Sequence, residues 1–289
     1  MKTAAIIILY HPTAQFIENM LSYYDEVERI FVYDNSESES GIKTALSQYP
    51  KVVFHQDFIN EGISKRLNMG CEAALEENFD WVLTMDQDSK FSAKTAGYFL
   101  HCCRVYPTLN SVALFGCGYG RENIVSTPDC APEKIGEMIT SGMVLSLQKF
   151  SVIGPFDEAL FIDSVDHEFC IRAQLSNFDI VRFNNIYLQH EVGDEVNRGS
   201  VKSLFLIKKK KIIHSSLRCY YMYRNMLYLE EKYKKSHPPF AKIIREFVIT
   251  HMKICFLYGR DSIKLFKYIQ KAKADYAHQK MGRIDAVIP

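Results

Sequence analysis

The feature that most constrains this chain is a series of short apolar runs, each breaking off into polar turn residues and followed by a helical pattern. Residues 4–10 are Ile-rich, show no polar face, and stop at His11-Pro12. Residues 29–33 end in Asp34-Asn35-Ser36, and residues 81–85 run into Asp86-Gln87-Asp88-Ser89. Runs that are apolar on both faces suit central parallel strands covered by helices above and below. Between them, Phe16, Ile17, Met20 and Leu21 share one helical face. Residues 40–48 and 64–78 read as further helices, and 52–55 as another strand. Such strand–helix–strand repeats imply an α/β fold with helices on both faces of the sheet, binding ligands at the carboxyl ends of its strands. His11, Asp34, Asp86 and Asp88 would then gather on one rim.

The second part reads differently. Residues 112–117, 139–147 and 180–188 are shorter, mixed elements, and beyond about residue 200 the texture is basic, aromatic-rich and helical, with no strand pattern. Residues 1–199 hold 15 Lys and Arg against 28 Asp and Glu, whereas residues 200–289 hold 20 against 6. The split suggests a catalytic domain over 1–199 and a basic helical region over 200–289 that meets an anionic partner. At 47% apolar and 24% charged the chain is globular rather than disordered. The apolar run at 4–10 is far short of the roughly 20 residues of a membrane span, and it has no secretory cleavage pattern, so the expected location is the cytoplasm. The eight cysteines include no CxxC pair and no metal-finger spacing, so they read as reduced, mostly buried thiols with no zinc site. Neither a G-x-G-x-x-G nor a P-loop signature is present.

Two carboxylates just past a buried strand, Asp86 and Asp88, can point into one cleft. Hard divalent cations take such oxygens and share them with substrate phosphates; the plainer alternative is a solvated turn. Five acids lie within 157–168, and Asp166 opens a helical pattern whose dipole favours its ionised form. It could act as a general base, unless Asp163 or Ser164 merely caps the helix and the other acids are surface. At 60–70, Asn60 and Gly62 make a tight loop, Ser64 is a cap candidate, and Arg66 offers a guanidinium to an anion; the alternative is an ordinary capped helix. His190 closes an apolar strand pattern, and a lone histidine there is more often structural than a ligand.

In order, Leu9-Tyr10-His11-Pro12, Tyr33-Asp34-Asn35-Ser36, Asn60-x-Gly62-Ile63 to Asn68-x-Gly70 and Met85-Asp86-Gln87-Asp88-Ser89 resemble the family-2 inverting glycosyltransferases of the GT-A fold. Thr140-Ser141-Gly142, Gly154-Pro155-Phe156-Asp157-Glu158 to Asp163-x-x-Asp166-x-Glu168, Arg172 and His190 continue the pattern, as does Arg218-x-Tyr220-Tyr221-x-x-Arg224-Asn225. The rhamnosyltransferase-like branch is the nearest in pattern. The resemblance implies a GT-A type sheet, mixed but mainly parallel, plus a C-terminal helical extension. It implies a nucleoside-diphosphate sugar donor (thymidine-diphosphate rhamnose, with uridine-diphosphate hexoses fitting the same motifs). Tyr10, His11, Asp34, Asn60, Gly62, Arg66, Asp86 and Gln87 would contact that donor. Asp88, helped by His190, would hold an Mg²⁺ or Mn²⁺ ion. Asp166 falls at the catalytic base, with Asp163 as the substitute. The acceptor would be a glycan or lipid-linked hydroxyl in surface polysaccharide synthesis.

In the tail, Ile244, Phe247, Val248, Met252, Cys255 and Phe256 form an apolar stripe flanked by Lys242, Arg245, Lys253 and Arg260. A basic amphipathic helix of this kind can lie on the inner face of an anionic membrane, or it can pack on protein. Nucleic acid is not expected, because no binding motif appears and the acidic remainder would repel a polyanion. A sugar nucleotidyltransferase would call for a Gly-rich basic loop where Tyr10-His11-Pro12-Thr13 stands. A non-catalytic nucleotide- or carbohydrate-binding scaffold would tolerate loss of Asp88 or Asp166, and both are present.

Overall fold

The computed structural model describes residues 1–120, 126–189, 195–199, 208–259 and 261–288. They form two compact units, residues 1–158 with 165–191, and residues 159–164 with 192–289.

The first unit begins with β1 (Thr3–Leu9), α1 (Gln15–Leu21), β2 (Arg29–Asp34), α2 (Ile42–Leu46), β3 (Val52–Gln56), α3 (Gly62–Glu76) and β4 (Trp81–Asp86). After these come β5 (Lys90–Phe91), α4 (Thr95–Arg104), β6 (Val112–Gly120), β7 (Pro132–Lys134), β8 (Met143–Ser146), α5 (Leu147–Ile153), α6 (Val165–Leu175) and β9 (Asp179–Gln189). Strands β3-β2-β1-β4 are parallel throughout, and β8, β6, β9 and β5 extend the sheet in mixed directions, with β7 on β9.

The alternation within β1 explains why helices cover both faces. Ala5, Ile7 and Leu9 join Phe16 and Met20 of α1 and Phe99 and Leu100 of α4 in one buried cluster. Ile6 points the other way, against α3. There a Cβ on Gly70 would stand 2.7 Å from Ile6 Cγ2, so α3 lies this close to the sheet only because position 70 has no side chain. Asn68, two residues earlier in the same helix, is bonded at both ends of its amide to the 154–158 loop. Its amide donates to Phe156 O and Glu158 Oε1, and its oxygen accepts from Phe156 N.

The second unit contains β10 (Glu195–Gly199), β11 (Lys208–Ile212), α7 (Ser216–Tyr233), α8 (Pro238–Tyr258) and α9 (Ser262–Ala277). Lys208–Ile212 reads as the opening of the basic helical tail, but it is a strand paired antiparallel with Glu195–Gly199. Backbone pairing, blind to side-chain polarity, builds it. The three helices start on side-chain caps, Ser215, His237 and Asp261, each accepting from an amide three residues on. Of the apolar stripe in the tail, Ile244, Val248, Met252 and Cys255 are buried in protein. Most of that stripe is therefore core.

One cysteine expectation fails. Cys102 on α4 and Cys130 form a disulfide across 28 residues, while the other six cysteines are free and buried. No short spacing marks that pair.

Candidate active site

The ladder registers place the rim. Leu9 lies opposite Asp34 on β2, and Ile8 opposite Asp86 on β4, so the two acids flank the end of β1. Tyr10 and His11 leave the sheet between them and are exposed, His11 with a left-handed backbone (φ 47°). The Gln87 side chain accepts from Tyr10 N at 2.9 Å and donates to Tyr10 O at 3.2 Å. Asn19 of α1 donates to Gln87 O, and His11 N donates to Ser36 Oγ at 2.7 Å. Gln87, expected at the donor, is thus tied to the backbone.

Asp34 is fully buried. Its carboxylate accepts from Ser36 N, Ser40 Oγ and Gln56 Nε2, which shapes the loop after β2. Asn60 accepts from Gly62 N, and Gly62 takes a left-handed conformation (φ 79°) at the start of α3. Ser64, a cap candidate, is instead buried within that helix. Arg66, expected to offer its guanidinium to the donor, is buried. Its guanidinium is turned inward, 1% exposed, and the anion it meets is the chain's own Asp57 carboxylate; it also donates to Asn35 Oδ1 and Ile59 O. Asn35 and Asp57 meet it there, and an unpaired buried guanidinium would be costly. Its hydrogen bond holds the Asp57 carboxyl down at about 2, against burial, which would raise it.

A short loop connects the acid pair to the proposed base. Gly142 N bonds to Thr84 O on β4, with Gly142 left-handed (φ 73°). The neighbouring Ser141 Oγ accepts from Asp86 N at 3.3 Å, and Thr140 N donates to Asp166 Oδ2 at 3.3 Å. Asp86 and Asp166 are therefore each one hydrogen bond from the same three-residue segment. Asp166 sits in the first turn of α6 and also accepts, at Oδ1, from His167 N and from the His167 ring, both at 2.9 Å. His167 Nε2 in turn lies 3.6 Å from Glu137 Oε2. Burial alone would raise the Asp166 carboxyl, but the His167 charge, its two hydrogen bonds and the Thr140 amide outweigh it. The group stays below the ordinary carboxylate range, ionised at neutral pH.

Asp88 is exposed beyond the strand end and Asp86 half-buried, so hard oxygen donors stand at the rim. Among the described residues they form no cluster with a third acid, histidine or cysteine. Mg²⁺ and Mn²⁺ sites of one or two carboxylates completed by phosphate and water fit this donor set. His190 lies outside the described residues.

Glu168 and Asp163 of the 157–168 cluster are held in structural pairings. Glu168 is fully buried and chelated by Arg172, which also donates to the carbonyls of Ile153, Gly154 and Pro155. In the second unit, Asp163 accepts from Arg218 at 2.9 Å, and Asn225 donates to the carbonyls of Ile162 and Asp163. Asp163 and Ser164 are both left-handed (φ 66° and 65°), a strained pair held in place by those bonds. Asp163, the substitute base, is engaged in that pairing.

Tyr119 and His167 were not singled out from the sequence. Tyr119, near the end of β6, donates to Ser141 O at 3.1 Å. Desolvation around the hydroxyl, with the nearby Asp166 and Asp86 carboxylates, raises it and keeps it a neutral donor. Nothing in the local sequence marks Tyr119, whereas His167 could have been found from its position beside Asp166.

No family model matches the chain. It is 28% identical over 283 residues to a dTDP-rhamnosyl transferase, RfbF, of Shigella flexneri, covering 91% of each chain. Among solved structures it is similar to residues 1–349 of S. aureus TarS, with TM-score 0.57, 16% identity, and 96% of this chain and 80% of that one covered. It is also similar to GalNAc-T7 crystallised with UDP, GalNAc and Mn²⁺, with TM-score 0.54 and 11% identity, over 66% of this chain and 44% of that one. In fold the chain is therefore of the GT-A type, and in sequence it resembles the rhamnosyltransferase-like branch of the family-2 glycosyltransferases.

Proposed function

We propose that the chain is an inverting glycosyltransferase that moves a sugar from a nucleoside-diphosphate donor to an acceptor hydroxyl. The observation that carries this reading is the hydrogen-bonded link from Asp86 through Ser141 and Thr140 to Asp166. It sets an ionised, half-buried carboxylate beside the rim where the strand-end acids stand. The acceptor oxygen attacks the anomeric carbon, the carbon–oxygen bond to the diphosphate breaks, and the hydroxyl proton passes to Asp166. A single displacement inverts the anomeric centre. Asp88 and Asp86 would hold the divalent cation, which when bound neutralises charge developing on the leaving diphosphate. His167 keeps Asp166 oriented, and the exposed Tyr10 and His11 line the rim where the nucleoside would lie.

Similarity to the Shigella rhamnosyl transferase favours thymidine-diphosphate rhamnose as donor over uridine-diphosphate hexoses. The nucleotidyltransferase alternative lacks its glycine-rich loop after β1, and a binding scaffold would have no use for the ionised Asp166. Thermal unfolding with dTDP, UDP, and Mn²⁺ or Mg²⁺ tests the reading. A nucleoside diphosphate at 100 times its Kd should stabilise the chain by about 2.7 kcal/mol, only with the cation present. No stabilisation by any nucleoside diphosphate would defeat it.

For location, we infer attachment to an anionic membrane through the second unit, where lipid-linked acceptors would be presented. Among the described residues no helix is long and apolar enough to cross a membrane. On α8 and α9, however, Ile243, Phe247, Leu257, Ile263 and Phe266 remain exposed, the third and fourth at 74%, close in sequence to exposed Lys242, Lys253 and Lys267. Flotation with anionic vesicles should carry the protein up, and the Phe247→Ser/Leu257→Ser pair should stay at the bottom. Equal flotation of both proteins would rule these side chains out.

A further inference from the structure

The second unit holds a concentration of ligand chemistry that glycosyl transfer does not use. Cys219 lies on α7, and His251 and Cys255 lie one turn apart on α8, where an i, i+4 spacing puts them on one face. Their sulfur and nitrogen atoms all fall within 4.8 Å of one another, with Cys255 Sγ 3.3 Å from His251 Nε2. Both cysteines are buried and His251 is half-buried, so the imidazole side is the way in. The ring of His214, just before the Ser215 cap of α7, stands 4.7 Å from that of His251, centroid to centroid. Among the described residues no other three histidine, cysteine or acidic groups converge in this way.

Buried cysteines usually pack alone as small apolar groups. Two that face each other across a helix pair offer instead two thiolates together with the His251 ring nitrogen, and the His214 ring stands beside that of His251. That donor set suits tetrahedral zinc, whereas Mg²⁺ and Mn²⁺ prefer the oxygens at Asp86 and Asp88. We propose that Cys219, His251 and Cys255, with His214 as fourth ligand, form a structural zinc site that joins α7 to α8. Binding releases the two thiol protons to solvent and leaves no open position, so the ion braces the helices and takes no part in chemistry. The paired spacings His214-x₄-Cys219 and His251-x₃-Cys255 carry this site in the sequence, where a search for CxxC misses it.

The test uses the full chain. Zinc content is measured after purification, the metal is removed, and Co²⁺ is added back as a spectroscopic probe. One equivalent should give thiolate-to-cobalt charge-transfer absorption and raise the Tm, and zinc should displace it. The band should vanish in Cys219→Ser/Cys255→Ser and persist in Asp88→Asn, which separates this site from the catalytic cation. Should the double variant fail to fold, alkylation of the native wild-type protein decides. Zinc should then protect Cys219 and Cys255 selectively. Absence of a thiolate band, a band unchanged by the double substitution, or a Cys219–Cys255 disulfide in reduced preparations would each overturn the proposal.

Discussion

Asp166→Asn separates chemistry from binding. The carboxylate accepts three hydrogen bonds, from Thr140 N at 3.3 Å and from His167 N and Nδ1 at 2.9 Å. An amide of the same size has one oxygen, so it keeps the two at Oδ1 and presents an NH₂ to Thr140 N–H, or flips and loses those to His167. Losing one neutral bond costs about 0.5–1.5 kcal/mol, and one bond to a charged group about 1.5–3. The fold should therefore lose about 1–3 kcal/mol and survive. The amide cannot take a proton, and positioned general bases contribute roughly 10²–10⁴-fold, about 2.7–5.4 kcal/mol at 1.36 per decade. Initial-rate kinetics with donor and acceptor, beside calorimetric titration of nucleoside diphosphate, measure both sides. Transfer should fall at least about 100-fold with the diphosphate Kd unchanged. A drop below about tenfold, or an equal loss of diphosphate affinity, would refute the assignment of Asp166 as the base.

Asp88→Asn should weaken cation-dependent diphosphate binding while leaving the cation-free Tm unchanged; calorimetry with and without Mn²⁺ checks both. Gly70→Ala forces a methyl to within 2.7 Å of Ile6, and overpacking of this kind should cost about 1–3 kcal/mol in urea unfolding. His167→Ala leaves burial less opposed at Asp166, so the acidic limb of the kcat profile should move to higher pH; a limb that stays put would remove His167 from the site. Asp57, depressed from 3.8 to about 2, contributes stability that is full above pH 3.8 and lost as pH falls towards 2. Asp57→Asn should flatten the fall in Tm over that window.

The parallel half of the sheet was legible because β1, β2 and β4 are buried on both faces, and burial leaves unpatterned apolar runs behind. Their polar ends were legible for the same reason, since a strand that stops at Asp34 or Asp86 stops abruptly. Strand β11 was not, because Lys208–Lys211 has no apolar alternation and its pairing with β10 rests on backbone groups that composition does not record. The inward turn of Arg66 depended on Asn35 and Asp57 arriving from two other elements. The Cys102–Cys130 bridge likewise depends on tertiary approach alone. The stripe on α8 reads alike whether protein or lipid covers it, and only the packed structure assigned Ile244, Val248 and Met252 to protein. Asp166 was legible as a helix-start acid, yet the Thr140–Gly142 link that joins it to β4 is a long-range contact.

Gln87 carries a consequence for any attempt to redesign the donor preference. The middle residue of the acid pair acts as a crossbar, extending the coupling of β1 and β4 past the point where their ladder stops. It fixes the backbone of the turn in which Asp88 leaves the strand end, since both ends of the Gln87 amide are held by Tyr10. Asn at this position is one methylene too short to span the gap, and Glu supplies no donor for Tyr10 O. Substitutions meant to retune the donor contact can therefore vary the Tyr10 side chain, whereas position 11 needs a residue that tolerates its left-handed backbone and position 87 an amide of this length to keep the end of β1 tied to the turn after β4.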